Sequence, residues 1–272
     1  MTPTPRRNHR AVRTAGAGAA ALLALSACSS SGSHSSSTKP DSSASGRLSG
    51  TVTVFAAASL QESFTALGKQ FEKAHPGTMV TFSFGGSDSL AASITGGAPA
   101  DVFASASPKT MKIVTDAGDA SGTPVTFARN QLEIATLPGN PHRVGSLKDL
   151  TDKDLKVVLC AQEVPCGAAA QKALAASKLK LTPVSYEQDV KAALTKVELK
   201  EADAAVVYKT DVHAAGDKVE GVEFPESADA VNEYPITLLK GTQNTETAKA
   251  FIALVRSAEG QTVLTGAGFL KP

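Results

Sequence analysis

The chain has 272 residues, 42% of them hydrophobic, and a formal net charge of +1. That length suits one large α/β domain or two lobes with separate cores, and the balanced charge gives no general attraction for nucleic acid. Aromatic residues make up 5% and Trp is absent, so stacking platforms for bases or sugars are poorly supplied and any anionic partner must be caught locally.

The N-terminus reads as a targeting segment. Arg6, Arg7, Arg10 and Arg13 form a positive region ahead of the apolar run Ala15 to Leu25, and Leu25-Ser26-Ala27-Cys28 has the form of a lipobox. This predicts a signal peptide over residues 1–27, with Cys28 as the lipidated first residue of the mature chain. The apolar run is too short to span a bilayer, which takes about 20 residues. Arg6-Arg7 does not distinguish general export from the twin-arginine route. Residues 28–50 are rich in Ser and nearly devoid of apolar side chains, so burial cannot offset their chain entropy and they read as a flexible tether. The expectation is a protein lipid-anchored on the extracytoplasmic face of the cell membrane.

From Thr51 onward, short β-rich runs alternate with helical patterns. Thr51 to Ala56 reads as a strand, followed by an amphipathic helix over Ser59 to Ala74 with Leu60, Phe64, Leu67 and Phe71 on one face. Ser59 and Glu62 have capping-box spacing at its start. Val80 to Phe84 is a second strand, turned by Gly85-Gly86 into a helix from Ser87. Asp101 to Ser105 is a third strand, followed by a helix that Ser107-Pro108 opens. Leu132 to Thr136, Lys156 to Cys160 and Ala204 to Tyr208 read as strands. Helices are expected near Cys166, near Ser185 to Val190 and near Thr245, with a helical C-terminal region from about Asn232. Such alternation argues for open α/β sheets flanked by helices. In these folds ligands bind at strand carboxyl ends, where helix starts present free N–H groups.

With Cys28 set aside, Cys160 and Cys166 remain. In an exported chain this spacing favours a disulfide over two reduced thiols or half a metal site. His75, His142 and His213 show no ligand spacing near the pair.

Ala57-Ala58-Ser59-Leu60, Phe84 to Leu90, Gly97 to Ala106, Val164-Pro165-Cys166-Gly167, Asp189-Val190, Ala205 to Tyr208 and Glu233-Tyr234-Pro235 follow one another in order. Together they resemble the molybdate-binding family of type II periplasmic binding proteins, over the whole folded region. The resemblance implies a two-lobed fold of open sheets with an interlobe cleft. Lobe I would comprise 51–128 and 232–272, and lobe II 129–231. It also implies a molybdate or tungstate oxyanion as bound ligand, with no cofactor and no direct protein–metal bond. The implied partner is the permease of an ABC importer, and the binding protein itself is expected to be a monomer. The side chains of Ser59 and Ser87, the backbone N–H groups of Cys166 and Val190, and the Tyr208 hydroxyl would hold the anion. Cys166 stands where a small residue such as Ala is usual, a change that a main-chain donor tolerates. Gly86 and Asp88 stand where relatives often carry hydroxyl residues.

Taken singly, these residues have plainer readings. Ser59 would be an N-cap, Ser87 a turn residue, Tyr208 a boundary aromatic and Val190 helix core. Asp88 and Asp189 read as acids favoured by helix dipoles rather than as ligands of an anion. A donor-only site suits a fully ionised dianion, because a protonated phosphate brings a hydrogen that needs an acceptor. Sulfate and thiosulfate are the alternative ligands. An enzyme is disfavoured, since no G-x-S-x-G elbow exists and Ser177 to Lys180 gives only an isolated S-x-x-K.

Overall fold

A computed structural model of the protein describes residues 47–272; the expected signal peptide, Cys28 and most of the tether lie outside them. β1 (Gly50–Ala57) buries Val52, Val54 and Ala56 completely. It pairs in parallel with β2 (Thr78–Gly85) on one side and β3 (Val102–Ala104) on the other. Two antiparallel strands complete this sheet: β4 (Ala120–Asn130) and β10 (Asn232–Leu239), in the order β2-β1-β3-β10-β4. The second sheet contains β5 (Leu132–Thr136), β6 (Val157–Cys160), β7 (Ser185–Glu187), β8 (Ala204–Tyr208) and β9 (Glu220–Val222), in the order β7-β6-β8-β5-β9. The chain therefore leaves the first sheet at Asn130 and re-enters it at Asn232.

Helices α1 (Gln61–Ala74), α2 (Ser87–Thr95), α3 (Pro108–Asp116), α7 (Thr245–Arg256) and α8 (Ala258–Gly266) accompany the first sheet. Helices α4 (Pro165–Ala176), α5 (Val190–Glu198) and α6 (Lys209–Ala215) accompany the second. Each sheet has its own core. Phe64, Phe71 and Phe251 pack edge to face beneath β1, with centroids 5.7 and 6.0 Å apart. The buried strands β5, β6 and β8 centre the other core. Ala58 joins that second core although it follows β1, so the two lobes are in apolar contact beside the cleft. The architecture is two-lobed α/β, with both sheets open and flanked by helices.

Several local expectations change. A 3-10 turn, Ala58–Leu60, precedes α1, whose N-cap is Leu60 with no side-chain cap bond. The Ser59–Glu62 capping box does not form. Ser59 Oγ instead lies 2.8 Å from Tyr234 Oη, and Glu62 Oε1 takes Lys191 Nζ at 2.8 Å. Both partners come from distant strands and helices, and tertiary bonds displace the local one. Ser107 does cap α3, accepting from Thr110 N–H at 3.2 Å. Ser185–Glu187 is a strand, with the next helix starting at Val190. Asn232–Leu239 is also a strand rather than the start of a helical region. Cys160 and Cys166 are joined, with Sγ atoms 2.09 Å and Cα atoms 5.8 Å apart. Among the described residues no cluster of three His, Cys, Asp or Glu could hold a metal ion.

Candidate functional site

The carboxyl ends of β1, β2, β3, β6, β7 and β8 point at one another across the cleft. Around one small cavity they place Ala57, Ala58, Ser59, Gly85, Gly86, Ser87, Ala106, Val164, Pro165, Cys166, Asp189, Val190 and Tyr208. All five candidate donors (Ser59, Ser87, Cys166, Val190 and Tyr208) are in that lining. Among the described residues, the lining holds no Lys, Arg or His.

Each donor owes its place to an element start. Ser87 is the first residue of α2, Cys166 the second of α4 and Val190 the first of α5. N–H groups there have no acceptor within their helix. Aligned peptide dipoles add partial positive charge at the same points. Asp189 caps α5 by accepting from Ala192 N–H at 2.9 Å. Its carboxylate is thus occupied by the backbone, as the plainer reading held.

The hydroxyls are almost fully buried: Ser59 is 4% exposed, Ser87 1% and Tyr208 1%. Ser87 Oγ accepts from Ala106 N–H at 3.0 Å, and Tyr208 Oη accepts from Asn232 Nδ2 at 2.7 Å. Burial pushes the phenols of Tyr208 and Tyr234 well above the usual tyrosine range. Both stay protonated and can donate. Tyr234, Asn232 and Asn130 lie outside the lining, where Tyr234 bonds Ser59, Asn232 bonds Tyr208 and Asn130 bonds Tyr234, and sequence reasoning did not single them out for this. Tyr234 and Pro235 belong to the resembling segments, but nothing local signals that the phenol meets Ser59.

Behind Tyr208 lies a buried charge. Asp211 Oδ2 accepts from Tyr208 N–H at 3.2 Å, and Oδ1 faces Lys191 Nζ at 3.4 Å. Burial lifts the Asp211 carboxyl to about 7, against the pull of Lys191. Burial also works against the charge on Lys191, but Asp211 and Glu62 outweigh it and raise that pKa. Glu62 belongs to α1 and Lys191 to α5, so this ion pair ties the two lobes.

For Asp211 the folded pKa lies above the unfolded one. Its contribution is therefore fully favourable below about pH 4 and is lost as pH rises through about 7. Wild-type stability should fall relative to Asp211→Asn by on the order of 2–4 kcal/mol between those limits. Urea unfolding of both proteins over that range tests this; parallel pH profiles would contradict it.

The arrangement can bind a small anion with uncharged donors from both lobes. The description "Bacterial extracellular solute-binding protein" matches residues 52–270. The molybdate-binding protein ModA of Mycobacterium tuberculosis is 44% identical over 238 residues, covering 87% of this chain and 91% of its own. Among solved structures, the periplasmic molybdate-binding protein of Azotobacter vinelandii is similar with a TM-score of 0.72 at 22% identity, covering 81% of this chain and 99% of that one. The sulfate-binding protein SubI of Mycobacterium tuberculosis matches with a TM-score of 0.69 at 18% identity, over 80% and 86% of the two chains. At those identities the two structures speak for the fold.

Proposed function

The chain belongs to the bacterial extracellular solute-binding protein family, and on that premise we propose that it captures molybdate or tungstate outside the membrane and delivers it to the permease of an ABC importer. The observation that carries this reading is the convergence of Ser59, Ser87, Cys166, Val190 and Tyr208 on one small cavity without a cationic side chain. A dianion taken from water into such a cavity needs its oxygens paired, since unpaired buried charge is very costly. Hydrogen bonds to charged groups contribute about 1.5–3 kcal/mol each. Five donors can therefore offset desolvation and the closing of the lobes. The ligand is held through its oxygens, with no protein–metal bond, and is passed on without turnover.

Isothermal titration with molybdate, tungstate and sulfate tests the proposal directly. The expected ranking puts both larger anions ahead of sulfate; tight binding of sulfate alone would favour the sulfate-carrier reading. In the same assay Tyr208→Phe should weaken molybdate binding about tenfold, equivalent to about 1.4 kcal/mol. An unchanged isotherm would remove Tyr208 from the ligand set.

The finer reading places lobe I at 51–128 with 232–272 and lobe II at 129–231. Its support is that residues of the first sheet lie in the former ranges up to the crossing strand ends, and those of the second in the latter. The mature protein would be a monomer anchored through lipidated Cys28, carrying an oxidised Cys160–Cys166 bridge. Non-reducing mass analysis of the exported protein should give a diacylated Cys28 peptide and a linked Cys160–Cys166 peptide. An unmodified Cys28 or two free thiols would refute the respective part.

A further inference from the structure

One cation stands beside the cavity without lining it. Lys191 follows the donor Val190 in the first turn of α5, and its side chain is 21% exposed. Its ammonium turns to two carboxylates, with Glu62 Oε1 at 2.8 Å and Asp211 Oδ1 at 3.4 Å. Each carboxylate belongs to a segment that carries another proposed donor. Asp211 is fully buried, and its other oxygen accepts from the Tyr208 N–H. Glu62 lies three residues after Ser59, in the first turn of α1. Lys191 therefore joins the starts of α5, α6 and α1, beside which Val190, Tyr208 and Ser59 are mounted.

The two contacts respond differently when the lobes part. α5 and α6 both accompany the second sheet, so Lys191 and Asp211 travel together. Glu62 travels with the first sheet. Among the described residues, Lys191–Glu62 is the one ion pair that joins an element of one sheet to an element of the other. Arg129–Glu233, close to the crossing segments, links β4 to β10 within the first sheet. A flexible lysine ordinarily gives up much of the benefit of an ion pair in lost side-chain freedom. Asp211 removes that cost in advance, because it holds the ammonium in place before Glu62 arrives.

We infer that the Glu62–Lys191 pair, anchored on the second lobe by Asp211, is a closure latch that slows escape of the bound anion without touching it. The inference rests on the oxyanion-binding reading above and adds residues that act on retention rather than on recognition. An anion enclosed between two lobes leaves only after they open. A contact made in the closed form alone slows that opening and leaves the encounter with the open form unchanged, so its effect falls on the release rate. Glu62 and Lys191 are positioning residues; no contact with the anion is assigned to them.

The test uses Glu62→Gln and Glu62→Lys, since Glu62 is 49% exposed on α1 and neither change leaves a buried charge without a partner. Labelled molybdate is bound to each protein, then chased with excess unlabelled molybdate, and the association rate is measured separately. The work is done near pH 8, above the value of about 7 to which burial lifts Asp211, so that its carboxylate is charged. Release from Glu62→Gln should be about fivefold faster than from wild type, with association little changed. Release from Glu62→Lys, where two cations face each other, should be faster still. Added salt should speed release from wild type and leave Glu62→Gln nearly unaffected. Unchanged release in both variants, or an affinity change confined to association, would overturn the latch. Faster release accompanied by a lower melting temperature of the unliganded Gln variant would do so too, because it would mark Glu62 as a support of the fold. A wild type that binds no molybdate would overturn the functional reading, and the latch with it.

Discussion

Gly86→Ala should weaken molybdate binding by at least about tenfold while leaving the unliganded protein close to wild-type stability. Gly86 has φ −59° and ψ 130°, a conformation open to any residue, so backbone strain is no obstacle to alanine. The obstacle stands across the cleft. A Cβ at this position would lie 2.6 Å from the Gln188 carbonyl oxygen, well inside contact distance, and 2.9 Å from Asp88 Oδ1. The Asp88 carboxylate ends a side chain and can turn aside. The Gln188 carbonyl is backbone of the other lobe, directly before Asp189 and the donor Val190. A methyl group there props the lobes apart without disturbing either core. Because a ligand stabilises the closed form only through its preference for it, the cost appears in affinity. Calorimetry with molybdate and a melting curve of the unliganded protein give the two readouts. Full affinity in the variant would mean that Gly86 and Gln188 need not approach for binding.

Gly167→Ala is expected to act in the opposite sense, on the fold first. Here the added Cβ would fall 1.8 Å from the Ala161 carbonyl oxygen and 2.7 Å from that of Cys160. Both obstacles are backbone, and the Cys160–Cys166 bridge ties the segment that carries them. No side chain can move to relieve the overlap, so the start of α4 must shift. Overpacking of this kind typically costs about 1–3 kcal/mol, and more when the surroundings cannot relax. A fall in melting temperature of at least about 6 °C should follow for a protein of this size. The shift also carries away the Cys166 N–H, so binding weakens alongside stability. A variant with a wild-type melting temperature would show that the turn between β6 and α4 has room that the geometry denies it. Together the two glycines separate what closes the cleft from what builds it.

The strands most legible in the sequence are those buried on both faces. Ala204–Tyr208 has the bounds its apolar run suggests, because a continuous apolar segment of that length has few other ways to escape water, and Leu132–Thr136 keeps its bounds although it buries Glu133 and Thr136 as well. β4 and β10 were not legible. β4 carries Gly122 and Pro124 and is largely exposed over its first half. β10 begins Asn-Glu-Tyr-Pro, and its polar start conceals a strand whose residues are nearly all buried. They gain their place by pairing with each other, and β10 also pairs with β3, which no local pattern records. The Ser59–Glu62 box shows the converse. A sound local motif was dissolved by Tyr234 and Lys191, which lie far along the chain.

The donor residues follow from the family resemblance, whereas β1, β2, β3, β5, β6 and β8, and the helix starts after most of them, follow from hydrophobic period and turn residues. So does the presence of a Cys pair close enough to bridge. These features are local, and local sequence states them. The Ser59–Tyr234 contact, the Asp211–Lys191 pair and the close approach of Gly86 to Gln188 arise only when the chain is folded. Each joins groups from separate elements, and a hydrogen bond or a contact exists only once its two partners have been brought within a few ångströms.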